Sequence, residues 1–120
     1  MIGTLHAFVI DCEDIDSAAK FYEQLTGMQR KPEQSDADWI TLQDGQNGAK
    51  LSFQRVERLV PPQWPSGEHP QQMHLDVWVN NLDDGERQVL EIGAVKQGYE
   101  EDDFRVYIDP AGHPFCLVTG

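Results

Sequence analysis

The 120 residues include 39% hydrophobic and 25% charged side chains, the makeup of a globular chain long enough for one core. Acidic residues outnumber basic ones 21 to 9, and the formal charge of −12 argues against nucleic acid and anionic membrane as partners, since both demand clustered Lys and Arg. No apolar run nears the ~20 residues of a membrane span, the start MIGTLHAFVI lacks the basic region of a leader peptide, and two cysteines are too few for a disulfide framework, so the expected location is the cytoplasm with both thiols reduced.

Residues 5–11 (LHAFVID) are β-branched and aromatic and predict a strand. Asp14 then caps a helix whose inner face is Ile15, Ala18, Tyr22 and Leu25, and Gly27 stops it. A short strand fits near 28–31, WITL at 39–42 is a second, DGQNG a turn, and 49–56 the returning strand. The pattern restarts at 73–79 (MHLDVWV). Asn81 caps a helix facing inward with Leu82, Gly85, Val89 and Ile92, Gly93 ends it, and strands follow at 94–97, 104–108 and 115–119, the last two joined by DPAGH. His113, Asp109, Pro110 and Gly112 there are turn chemistry. The run EEDD at 100–103 reads as a solvated loop. The chain is thus one α+β domain of two β-α-β-β-β modules, 1–56 and 73–120, joined by a proline-rich linker or lid at 57–72.

Laying one repeat on the other pairs Ala7 with His74, Ser52 with Cys116, Leu42 with Ile108 and Trp39 with Arg105. Strand alternation places Phe8, Ile10, Ile40, Leu42, Leu51, Phe53, Leu75, Val77, Val79, Val106, Ile108, Phe115 and Leu117 beneath the helices. The other face receives Trp39, Thr41, Ser52, Gln54, His74, Asp76, Trp78, Arg105, Tyr107 and Cys116. Aromatic walls mixed with a few ionisable groups suit a sheet curved around a small molecule; an exposed face or a dimer contact is the plainer alternative.

On that face His74 is the candidate general base, because an imidazole titrates near neutrality, and Asp76 is its candidate orienting carboxylate. Side chains at i and i+2 of a strand diverge, so indirect coupling is expected, and a hydrogen-bonded structural histidine is the alternative. Arg105 can clamp a carboxylate or phosphate, or simply pair with Asp76 or Asp11. Trp39, Trp78 and Tyr107 form the aromatic wall, Gln54 adds a polar anchor, and Trp64 either closes over the mouth or anchors the linker outside. Cys116, flanked by apolar residues, reads as a buried inert thiol. There is no dinucleotide or P-loop fingerprint.

The segments DIDSAAKFYEQLTGM, QMHLDVWVNNLD and YIDPAGHPFCLV, with PPQWP…PQQMHLD, resemble the vicinal oxygen chelate superfamily, the glyoxalase and bleomycin-resistance fold, and within it the small bacterial glyoxalase-like members. The resemblance spans nearly the whole chain. It implies two modules whose sheets form a cupped, half-open surface with helices outside, and a homodimer. It leaves the reaction open, because the superfamily contains lyases, isomerases, dioxygenases, thiol transferases and binders. Metal-dependent members draw four ligands from equivalent strand positions, which carry over to Ala7, Ser52, His74 and Cys116. Only His74 is of the usual type, so no tightly bound cofactor is expected. A divalent metal stays open if a β-bulge re-aims His6 to join His74 and Cys116. The leading expectation is therefore a small-molecule site without that metal centre. The alternatives are a metal-dependent lyase, isomerase or dioxygenase using His6 and His74, and a drug-sequestering protein whose acidic, aromatic surface suits a flat cation.

Overall fold

Side-chain capping starts both helices where the sequence places them. Asp14 accepts a hydrogen bond from the Ser17 amide (3.1 Å) at the head of α1 (Ile15–Thr26), and Asn81 accepts one from the Asp84 amide (2.9 Å) at the head of α2 (Leu82–Glu91). The computed structural model describes residues 1–120 and arranges them as two compact units, Met1–Leu59 and Val60–Gly120.

Each unit is a β-α-β-β-β module. The first contains β1 (Phe8–Cys12), α1, β2 (Gln29–Arg30), β3 (Trp39–Gln43) and β4 (Lys50–Arg55), in the sheet order β1-β4-β3-β2. The second contains β5 (Leu75–Trp78), α2, β6 (Val95–Glu101), β7 (Phe104–Ile108) and β8 (Pro114–Val118), in the order β5-β8-β7-β6. In both sheets the first strand runs parallel to the last and the remaining pairs are antiparallel. No helix is long and apolar enough to cross a membrane.

In the first unit α1 lays Ile15, Ala18, Phe21 and Tyr22 against the sheet, where Ile40, Leu42, Leu51 and Phe53 are buried. The Tyr22 ring stacks on Phe53 at 5.5 Å and meets Phe21 edge-on at 5.1 Å. In the second unit α2 comes close enough to its sheet that a Cβ on Gly85 would lie 3.1 Å from Leu117 Cδ1 and 3.3 Å from Val79 Cγ1. Glycine there serves the close approach of helix to sheet rather than a turn.

In β7 the two faces are the reverse of those expected. Tyr107 pairs with Phe115 and Leu42 with Leu51, so the connection between the paired strands is one residue shorter in the second unit than in the first. The structural partners of Trp39 and Leu42 are therefore Phe104 and Tyr107, not Arg105 and Ile108. A one-residue slip turns every side chain to the opposite face. Arg105 and Tyr107 lie under α2. Arg105 reaches Asp83 (2.8 Å) and Glu86 (3.6 Å), and the Tyr107 hydroxyl donates to Glu86 (2.9 Å). Val106 and Ile108 take the opposite face, since Val106 pairs with Cys116.

The first strand also differs from expectation. It begins at Phe8, and its pairing with β4 is continuous from Phe8 to Cys12, with no bulge. His6 precedes the strand and is exposed, so it is not re-aimed. Phe8, expected in the core, is 51% exposed on this edge strand.

Candidate functional site

The second unit gathers ionisable groups on the face opposite α2. Asp76 on β5 and Cys116 on β8 are direct register partners, which puts their side chains on one side. His74 stands just before β5, free of strict strand alternation, and its Nε2 lies 3.2 Å from Asp76 Oδ1. The coupling expected to be indirect is therefore direct. One donor atom from each of His74, Asp76 and Cys116 falls within 4.8 Å of the others. Cys116 is buried, and that burial, then the charge and hydrogen bond of Asp76, push its thiol up to about 12. At neutral pH it is a protonated thiol and not a nucleophile. The carboxylate of Asp76 holds the imidazole in one orientation, the arrangement a general base needs.

Trp64 roofs this cluster. Its ring lies 4.9 Å from the His74 ring at 30°. It also meets Tyr99 at 6.0 Å and runs nearly parallel to Phe104 at 6.5 Å, while Tyr99 and Phe104 are 5.8 Å apart. The backbone holds it there: the Trp64 carbonyl accepts from Gln97 Nε2, and Gln63 bonds to His69 (2.8 Å) and Gln71 (2.9 Å) on the returning chain. Residues 60–72 thus fold within the second unit. Tyr99, Phe104 and Gln97 have no place in the sequence-derived site. β6 runs to Glu101, past the predicted end at residue 97, and its register shifts between Lys96 and Glu100. Gly98, at φ 107°, supplies the left-handed backbone of that irregularity. The glycine in QGYEE is the one sequence signal for it.

The first unit presents different chemistry at the equivalent positions. The partners of Asp76, Cys116 and Val106 are Val9, Ser52 and Thr41. Thr41 donates to the Gln34 carbonyl (3.1 Å) and accepts from Trp39 Nε1 (3.0 Å), which leaves Ser52 as the donor in the 3.1 Å Thr41–Ser52 hydrogen bond. Both hydroxyls are buried. Trp39 and Gln54 line an open hollow of about 510 Å³ with Asp36, Ala37, Asp38 and Arg55, where Arg55 is paired with Asp38 at 2.6 Å. Trp78, at the end of β5, is 61% exposed. Of the sequence-derived candidates, the structure brings together His74, Asp76, Cys116 and Trp64. Trp39 and Gln54 belong to the first unit, and Arg105 and Tyr107 serve the α2 side.

A β-α-β-β-β tandem with an ionisable cluster on a strand face opposite the helix is the architecture of a glyoxalase-type protein. The family model for the glyoxalase-like domain matches residues 7–118, and the chain belongs to that family. Solved structures with the same fold include a glyoxalase/bleomycin resistance protein/dioxygenase family enzyme from Burkholderia phytofirmans (18% identity, 98% of each chain, TM-score 0.74). Another is a fosfomycin resistance protein from Mesorhizobium loti (16% identity, 100% of this chain and 94% of that one, TM-score 0.74). A fosfomycin resistance protein from Listeria monocytogenes, a mutant solved with Mn(II) and 1S,2S-dihydroxypropylphosphonic acid, is 12% identical over 100% of this chain and 92% of that one (TM-score 0.74). No curated protein matches the chain. At these identities the neighbours establish the fold.

The superfamily's four-position metal centre does not fit these residues. Ala7 has no donor atom, and Ser52 is a buried hydroxyl engaged by Thr41. Only the second unit's half of the set, His74 and Cys116, offers metal-binding groups.

Proposed function

We propose that this glyoxalase-like protein binds a small molecule on the face of its second unit opposite α2, with Trp64 as the aromatic wall and the His74–Asp76 pair as polar anchor. The observation that carries this reading is the Trp64 ring held over an imidazole that is itself oriented by a carboxylate 3.2 Å away. A flat apolar surface beside a few convergent polar groups is the makeup of a ligand site. The partly exposed His74 is the group placed to take a proton from a bound ligand. The four-position metal centre has no part in this reading, because Ala7 has no donor atom and Ser52 is engaged by Thr41.

The test is a small-molecule library screened by ligand-observed NMR, with hits titrated against Trp64→Ala and His74→Ala. Loss of one ring stack corresponds to roughly a tenfold weakening. Hits that weaken in both variants support the reading. Hits indifferent to both variants, or a library with none, overturn it.

A further inference from the structure

We infer that Gln97 is the positioning residue of the second unit's face: it latches the Trp64 ring over His74 and acts on a bound molecule only through that ring. The latch stands on geometry alone, and its consequence for affinity rests on the ligand reading above.

The two ends of one carboxamide have different partners. Gln97 Nε2 donates to the Trp64 carbonyl, and Gln97 Oε1 accepts from the Tyr99 amide (2.8 Å). Only this orientation of the amide satisfies both, because a carbonyl needs the NH2 group and an N–H needs the oxygen. Strand alternation puts the side chain on the required face. The neighbouring Lys96 pairs with Tyr107 and reaches Glu86 (3.1 Å) on the α2 side, so Gln97 points to the opposite side. Gly98, at φ 107°, supports the break in register between Lys96 and Glu100, and at that break the Gln97 side chain takes the Tyr99 amide.

The other contacts of the Trp64 segment leave the height and slide of its ring open. Gln63 bonds to His69 and Gln71, which closes the segment on itself and shapes its turn. The ring contacts of Trp64 with His74, Tyr99 and Phe104, at 4.9 to 6.5 Å, are attractive over a range of offsets and tilts. A hydrogen bond is directional. The bond from Gln97 therefore sets where Trp64 rests on the ring cluster, and β6 sets Gln97.

The experiment compares the wild-type full chain with Gln97→Glu and Gln97→Met by NMR, without ligand. Gln97→Glu keeps an acceptor for the Tyr99 amide but turns a carboxylate oxygen toward the Trp64 carbonyl. Gln97→Met keeps the length and removes both polar groups. The ring current of Trp64 displaces the His74 ring protons. In both variants those signals and the Trp64 indole N–H should move toward the values of an unstructured chain. The Tyr99 amide should stay protected from hydrogen exchange in Gln97→Glu and lose protection in Gln97→Met. Hits from the ligand screen should weaken roughly two- to tenfold in Gln97→Glu, the worth of one hydrogen bond, and Gln97→Glu should add nothing in a Trp64→Ala background. Dispersed amide signals from β5 and β8 check folding, and either variant alone decides the Trp64 readout. His74 and Trp64 signals that stay in place overturn the inference. So do affinity losses that add in the double variant, since they would put Gln97 on the ligand itself. The ring-current measurement needs no ligand, so an empty screen overturns the ligand reading while the latch stands or falls by its own result.

Discussion

The two units share one topology and one strand register, yet their faces opposite the helices carry opposite chemistry. In the first, Thr41 and Ser52 hydrogen-bond to each other and are sealed, with Val9 beside them. In the second, the same three positions are Val106, Cys116 and Asp76, and His74 and Trp64 complete the group. The helix-facing sides share buried apolar positions such as Phe53 and Leu117, and the second adds Arg105 and Tyr107 beneath α2. The lesson is that the repeat preserves what folding needs, the core and the caps, and leaves the other face free to diverge. A hydroxyl pair that satisfies itself stabilises a sheet and has little left for a ligand. A thiol, a carboxylate and an imidazole gathered beside one indole ring retain polar atoms for something else.

The comparison can be broken most forcefully at the cores. Phe53 and Leu117 occupy equivalent, fully buried positions on β4 and β8. Phe53→Ala should lower stability by about 3–5 kcal/mol and Leu117→Ala by about 2–5 kcal/mol in urea unfolding. A loss below about 1 kcal/mol for either would mean the helix-facing sides are not equivalent. Next in size is Thr41→Val, which gives the first unit the residue that the second has at 106. It strands the Ser52 hydroxyl, the Trp39 indole and the Gln34 carbonyl, and should cost about 2 kcal/mol. A neutral result would show that the hydroxyl pair is incidental.

Tyr107→Phe sharpens the contrast on the second unit's helix side, at about 1.5 kcal/mol near neutral pH. Its hydroxyl donates to Glu86, whose carboxyl is pushed up by burial but held below the ordinary glutamate value on balance by Lys96, Tyr107 and Arg105. A depressed folded value means that this stabilisation is fully present above the unfolded glutamate value and fades as pH falls through the folded one. The gap between wild type and Tyr107→Phe should therefore narrow on acidification, and unfolding curves collected from pH 7 down to about 3 check the sign. A gap that widens in acid would exclude Glu86 as the partner that matters. The smallest effects belong to the shared caps: Asp14→Ala and Asn81→Ala should each cost about 1 kcal/mol, with equal losses in thermal unfolding marking the two helices as true counterparts.

Much of the fold was legible because its signals are local. Asp14, Asn81 and the spacing of Ile15, Ala18 and Tyr22 announce the helices, and alternation in WITL and FRVYI announces strands. The candidate site was legible only in part. His74, Asp76 and Cys116 could be placed on one face from β5 and β8, whose register follows from the repeat itself. Arg105 and Tyr107 were misplaced because a connection shorter by one residue shifts β7, and that length difference has no local signature. Tyr99 was missed because the acidic run at 100–103 resembles a loop while its first two residues belong to β6, whose register shifts around Gly98; Phe104 was missed because the same β7 shift turns it, with Val106, to the face opposite α2. The link from Trp64 to His74 is a contact between a turn-rich segment and a strand start, which no periodicity encodes.

The central claim is that ligands engage the second unit's face and not the first's. The most direct measurement is ¹H–¹⁵N shift mapping with the library hits, reading the three tryptophan indole N–H signals alongside the backbone. The account predicts saturable shifts at the Trp64 indole and at the amides of His74, Asp76, Tyr99 and Cys116, with Trp39 still. Shifts concentrated at Trp39 and Gln54, around the first unit's hollow, would contradict it.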